Sequence, residues 1–122
     1  MNRSALAVLA TLVALFGIVA IRVLLKTAVP TGPAAHRVTL SWHAPASASN
    51  PDLLRYNVYR SSDNGQSYRQ IAPTISGTTY EDDRVEAGKT YLYKVSTVDS
   101  RGRESLQTPP VAATIPEDTA SR

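Results

Sequence analysis

From Arg37 onward the apolar residues of this chain recur at every second position, a period that fits strands and not amphipathic helices. Val38, Leu40 and Trp42 alternate with Arg37, Thr39 and Ser41, which gives the segment one apolar and one polar face. Leu54, Tyr56 and Val58 alternate in the same way with Arg55, Asn57 and Tyr59. A longer strand is expected from Tyr91 to Asp99, with Tyr91, Tyr93, Val95 and Thr97 on one face. Shorter strands are expected at Tyr68 to Ile71, Thr78 to Asp82 and Val111 to Ile115. Between the second and third of these segments, Asp63-Asn64-Gly65 supplies residues that tolerate the positive φ of a tight hairpin turn. Pro45, Asn50 and Pro51 mark a loop, and Ser100 to Arg103 marks a further turn. No helical pattern follows Lys26, so the expectation is an all-β sandwich or barrel.

The N-terminal end is of a different kind. Ala5 to Ile21 carries no charge, and Val23, Leu24 and Leu25 extend the apolar run past Arg22 to Lys26. As a helix, the 21 residues from Ala5 to Leu25 would reach roughly 31 Å, enough for a hydrocarbon core of about 30 Å. Arg22 would then lie at an interface with its stem in lipid. The run has no polar stripe, so a small domain has no means of covering it as a core helix. Met1-Asn2-Arg3 also fits the positive start of an export signal, but the run is longer than the usual 7 to 15 residues and no small-x-small cleavage site follows closely. The expected organisation is a transmembrane signal-anchor over residues 1–26, contacting the bilayer through 5–25, with a Pro/Gly spacer at 27–35. A β domain at 36–116 and a polar tail at 117–122 complete it.

Charge and cysteine content narrow the function. The net charge of +3 comes from Arg3, Arg22 and Lys26, because the chain after residue 26 carries equal numbers of basic and acidic groups. A nucleic-acid footprint is therefore not supported. The absence of cysteine removes disulfides, thiolate metal sites and a cysteine nucleophile.

The strand residues resemble the fibronectin type III family, specifically the domains common in bacterial exported proteins. Trp42 stands in the place of that family's core tryptophan, Tyr56-x-Val58 matches its third strand, and Tyr93-x-Val95 matches a later one. Val85-x-Ala87-Gly88-x-x-Tyr91 is similar to the tyrosine corner of immunoglobulin-like sandwiches. The resemblance implies structural roles for Trp42, Tyr56, Val58, Gly88, Tyr91, Tyr93 and Val95, with the Tyr91 hydroxyl bonded to upstream backbone near Val85. It also implies a first strand before Trp42. The anchor and spacer occupy that room, so this strand is expected to be reduced to a few residues within 27–34 or to be missing, leaving a sheet edge open.

No catalytic constellation can be assembled. His36 and His43 lie at an odd offset along one strand and point to opposite faces, each at a strand end in contact with solvent. Glu81, Asp82, Asp83 and Glu86 lack calcium-loop spacing and read as a solvated turn. There is no nucleophile elbow or phosphate-binding glycine loop, so neither enzyme activity, cofactor nor metal is expected. Arg101-Gly102-Arg103 occupies the loop where some members of the resembling family carry Arg-Gly-Asp, but here the carboxylate is replaced by Arg.

The expected function is a membrane-anchored, non-enzymatic protein-interaction or adhesion module, or a small accessory subunit of a cell-envelope complex. Its alternative is a secreted, carbohydrate-associated accessory domain released by signal cleavage. The count of positive charge favours an inward-facing domain, whereas the resemblance implies an extracytoplasmic one. A protein partner is expected at the sheet face opposite the core, on Arg55, Asn57, Tyr59, Leu92 and Lys94, extended by Arg101 and Arg103.

Overall fold

The alternating segments are strands in the computed structural model, which describes residues 5–6, 21–27 and 36–118. Within them lie β1 (Ala5–Leu6), β2 (Ile21–Thr27), β3 (His36–Trp42), β4 (Arg55–Ser61), β5 (Arg69–Ile75), β6 (Thr79–Asp82), β7 (Thr90–Val98) and β8 (Val111–Thr114). One 3-10 turn, Pro51–Leu53, interrupts the loop before β4. The strands form two four-stranded sheets ordered β1-β2-β3-β6 and β5-β4-β7-β8. All named pairings are antiparallel, and the hairpin between β4 and β5 turns through Asn64 and Gly65, both at positive φ.

The inward positions of both sheets make one core. Val38, Leu40 and Trp42 of β3 meet Tyr56 and Val58 of β4, Tyr91, Tyr93 and Val95 of β7, and Val111 and Ala113 of β8. The Trp42 and Tyr56 rings pack at 5.4 Å between centroids with a tilt of 58°. Tilted aromatic pairs of this kind add to the area they bury.

The first strand corrects the sequence expectation. It is neither reduced to 27–34 nor missing: β2 runs through Ile21–Thr27 and pairs along its whole length with β3, from Ile21 opposite Trp42 to Thr27 opposite His36. The expected helix over 5–25 therefore does not hold at either of its ends, where Ala5–Leu6 pairs with β2, and β2 runs across the boundary drawn between anchor and spacer. The physical reason is that an apolar run without a polar stripe does not distinguish helix from buried strand by period alone. Ile21 and Val23 are β-branched, and the edge of β3 away from β6 has backbone groups that need partners. The remainder of the anchor, 1–4 and 7–20, lies outside the described residues, as do the spacer from 28 to 35 and the tail from 119 to 122. Among the described residues no helix is long and apolar enough to cross a membrane.

β5 and β6 are edge strands of opposite sheets, joined by the short connection Ser76 to Thr78. One bond joins them, the Tyr80 hydroxyl donating to the Ile71 carbonyl at 3.2 Å. The pairing of β4 with β5 is irregular between Tyr56 and Tyr59, where the register shifts. Such irregularities bend an edge strand away from its sheet.

Removing the central indole tests the core directly. Trp42→Ala is expected to cost about 3 to 5 kcal/mol through the cavity it leaves, most of the stability of a small domain. Urea unfolding followed by circular dichroism checks it, and a midpoint equal to that of wild type contradicts the packing described.

Candidate functional site

The outer face of β4 and β7 holds the residues expected to bind a partner, and most of them are engaged within the domain. Tyr59 lies opposite Lys94 and Asn57 opposite Ser96. The connection from β7 to β8 folds back over this face through an isolated bridge between Val98 and Glu104. The Glu104 carboxylate accepts from the Tyr59 hydroxyl at 2.5 Å and from the Ser96 hydroxyl. Those two bonds hold the Glu104 carboxyl below its ordinary range, Ser96 contributing most. Asn57 is buried and accepts from Gln70 at 3.3 Å and from Thr74 at 3.0 Å.

The neighbouring side chains are used similarly. The Lys94 ammonium sits 4.3 Å from the centre of the Tyr68 ring, a cation–π contact. Leu92 covers the hairpin turn, where a Cβ on Gly65 would approach its Cδ1 to 3.2 Å. Arg55 donates to the carbonyls of Asp52 and Leu54, and Arg103 donates through Nε to Asp99 at 2.8 Å. Asp99 also accepts from the backbone N–H groups of Arg101 and Arg103, and the Arg103 bond is the main cause holding its carboxyl low. Arg55 and Arg101 remain exposed.

The structural residues carry the corner and its neighbours. The Tyr91 hydroxyl accepts from the Glu86 N–H at 3.0 Å, one residue beyond Val85. Gly88, at φ +77°, donates its N–H to the carbonyls of Ile115 at 3.0 Å and Pro116 at 3.2 Å. His36 is buried with Nε2 2.8 Å from Asp118, whereas His43 is exposed, so the solvent contact expected of both holds for one.

A second region was not singled out in the sequence. Between β5 and β6 is a cleft of about 340 Å³ lined by Arg60, Arg69, Gln70, Tyr80, Asp83 and Arg84, with Asp82 at its floor. Asp82 projects from β6 of one sheet toward two strands of the other. It accepts from Arg60 of β4 at 3.0 and 3.2 Å and from the Tyr93 hydroxyl of β7 at 2.7 Å. The Arg84 N–H adds a further bond at 3.1 Å. Burial, then the bond to Asp82, pushes the Tyr93 hydroxyl far above the ordinary tyrosine range.

Thus the expected acidic turn is partitioned. Asp82 is buried, Glu81 pairs with Arg37, and Glu86 pairs with Lys89. No group of three His, Asp or Glu side chains is placed to hold a metal ion among the described residues. The signal that pointed to the cleft was a cation at an inward position: Arg60 continues the Tyr56, Val58 phase of its strand. An inward guanidinium requires a buried acceptor.

Two antiparallel sheets packed over a tryptophan, with a tyrosine-closed connection between β6 and β7, define an immunoglobulin-like β-sandwich. The chain belongs to the fibronectin type III family: residues 28–115 match the profile described as fibronectin type III domain SaeA third domain. Over 69 residues, 57% of the chain, it is 44% identical to an amylopullulanase of Thermoanaerobacterium saccharolyticum. That match spans only 5% of the amylopullulanase. Among solved structures, an Fn3-like protein from Clostridium thermocellum is 30% identical with a TM-score of 0.54, over 78% of this chain and 91% of that one. A β-1,2-glucanase from Parabacteroides distasonis is 32% identical with a TM-score of 0.55, over 68% of this chain and 11% of the enzyme. The fibronectin type III domain is itself a non-catalytic module, although its relatives include parts of larger enzymes.

Three tyrosines separate bonded from unbonded hydroxyls. The buried Tyr56 hydroxyl has no hydrogen-bond partner, so Tyr56→Phe should leave stability unchanged or raise it. Tyr91→Phe should cost about 1 kcal/mol, and Tyr93→Phe about 1.5 to 3 kcal/mol because its partner is charged. Denaturant midpoints in that order are expected, and a Tyr56→Phe loss as large as that of Tyr93→Phe contradicts the network.

Acid provides another test, at the hairpin turn. Asp63 accepts from the Ser67 hydroxyl at 2.6 Å and the Ser61 hydroxyl at 2.7 Å, and these bonds, Ser67 first, lower its carboxyl to about 2. A folded value below the unfolded one of about 3.9 gives stability that is complete above pH 4 and lost as pH falls through 2. Asp63→Asn should therefore lower the thermal midpoint at pH 5, with the difference from wild type closing by pH 2. A constant difference across that range contradicts the assignment.

Proposed function

We propose that this chain is a non-catalytic accessory module of a polysaccharide-degrading system and acts outside the cytoplasm. The observation that carries this reading is the similarity to segments of enzymes named as amylopullulanase and β-1,2-glucanase. The module's contribution is then to position or retain a partner enzyme on its substrate, and its own residues take no part in bond cleavage.

A membrane-tethered interaction module is the second reading, and the apolar run favours it. Strand β2 weighs against it on length. With Ala5–Leu6 and Ile21 onward in the sheet, the 14 residues 7–20 remain, about 21 Å if helical, which is short of a hydrocarbon core of about 30 Å. That length is close to the apolar region of an export signal. In the tethered reading the exposed Arg55 and Arg101 are the members of the outer face still available to a protein partner.

Expression of the full chain in a bacterial host, followed by fractionation and retention on insoluble starch, separates these readings. The accessory reading expects a shortened form, beginning near Ile21, released from the membrane and retained on the polysaccharide. Full-length protein that survives alkaline carbonate washing in the membrane fraction supports the tether. Absence of retention on starch, pullulan and β-glucan alike contradicts the carbohydrate association.

A further inference from the structure

The cleft between β5 and β6 contains an electrostatic cost that the fold does not need. Arg60 and Arg69 are a directly opposed pair across β4 and β5, an arrangement that destabilises a sheet when the charges are alike. Arg60 is neutralised by Asp82. Arg69 has no ion pair or side-chain hydrogen bond among the described residues, and the same holds for Arg84 across the opening. Asp82 already receives Arg60, Tyr93 and the Arg84 N–H, so of the cleft's two acids only Asp83 retains an unspent charge. Two exposed guanidinium groups against one carboxylate leave the mouth with an excess of positive charge.

Resting on the accessory-module reading, we infer that this cleft binds an acidic sugar, with Arg69 and Arg84 gripping the carboxylate of a uronate-bearing oligosaccharide. Guanidinium forks suit a carboxylate because two parallel N–H bonds match its two oxygens. The other lining groups suit the sugar ring. Tyr80 is half-buried in the wall, its hydroxyl tied to Ile71, and therefore presents a fixed aromatic surface. Gln70, whose amide nitrogen is committed to Asn57 and the Ala72 carbonyl, offers its amide oxygen, and Asp83 a second acceptor for ring hydroxyls. A volume of about 340 Å³ lies at the lower end of small-ligand sites, which run from about 300 Å³, and exceeds what an inorganic anion fills. A bound carboxylate would also screen Arg69 from Arg60, so binding relieves the repulsion that the free domain bears.

That last point makes the inference testable in two directions. Thermal midpoints and calorimetric titration of the full chain are measured with trigalacturonate, with maltotriose, and with sodium chloride at matched ionic strength. Trigalacturonate should raise the wild-type midpoint by several degrees, maltotriose should not, and salt at matched ionic strength, which only screens the repulsion, should raise it by distinctly less. Arg69→Thr should raise the ligand-free midpoint at low salt and weaken trigalacturonate at least tenfold. Arg84→Gln, at an exposed position, should weaken it without altering the ligand-free midpoint. Equal affinity in both variants and wild type overturns the site, as does a fall in the ligand-free midpoint of Arg69→Thr. An equal response to maltotriose overturns the acidic-sugar assignment. Retention of the same variants on insoluble starch, measured in parallel, reports on the accessory reading separately, because that reading survives if starch binding persists while trigalacturonate binding is absent.

Discussion

A single buried carboxylate ties the two sheets together. Asp82 leaves β6 of one sheet and is held by Arg60 and Tyr93 of the other, beside a core of apolar and aromatic side chains. Burying a charge costs several kcal/mol, and the cost is offset only when geometry is good and the remaining lone pairs are satisfied. Here Arg60, the Tyr93 hydroxyl and the Arg84 N–H converge on the one group. Arg60 extends the arrangement further, donating to the Arg84 carbonyl and lying 5.3 Å from the centre of the Tyr91 ring. One ion pair thus links β6 to the opposite sheet, touches the tyrosine corner and lines the cleft.

That dependence separates the two surfaces of the second sheet. On the outer face, Glu104 collects Tyr59 and Ser96 while Asn57 collects Gln70 and Thr74, so polar groups are satisfied within the domain. At the edge between the sheets, the Arg60–Asp82 pair is complete, yet Arg69 and Arg84 around it remain exposed and without ion pairs among the described residues. A surface whose hydrogen bonds are spent internally has little left for a ligand, whereas exposed guanidinium groups around a fixed floor have donors in reserve. For a non-catalytic module, retention of a saccharide requires no more chemistry than this.

Much of the sandwich was legible because a half-buried strand writes its burial into alternate residues. Val38, Leu40 and Trp42, or Tyr91, Tyr93 and Val95, announce both the strand and its inner face. The hairpin at Asn64 and Gly65 was equally readable, since positive φ restricts the residue types at a turn. The first strand was not. Ile21 to Leu25 lies inside a run that is apolar on every side, and only the presence of an unfilled edge on β3 distinguishes strand from helix there. The internal bonding of the outer face was not legible for a different reason: alternation shows that Tyr59 points outward but not that Glu104, 45 positions later, folds back to meet it. The cleft was hidden because its residues come from three strands and a turn, although Arg60 at an inward position was a local sign.

The double-mutant cycle between Arg60 and Asp82 tests the inter-sheet clamp most directly. Arg60→Met, Asp82→Asn and the combined variant are compared with wild type by urea unfolding. The account expects strong non-additivity, with a coupling of about 1.5 kcal/mol or more, because losing Arg60 leaves the buried Asp82 without its cation and losing Asp82 leaves the half-buried Arg60 without its anion. Single losses that simply add, within about 0.3 to 0.5 kcal/mol, would contradict the claim that this pair joins the sheets.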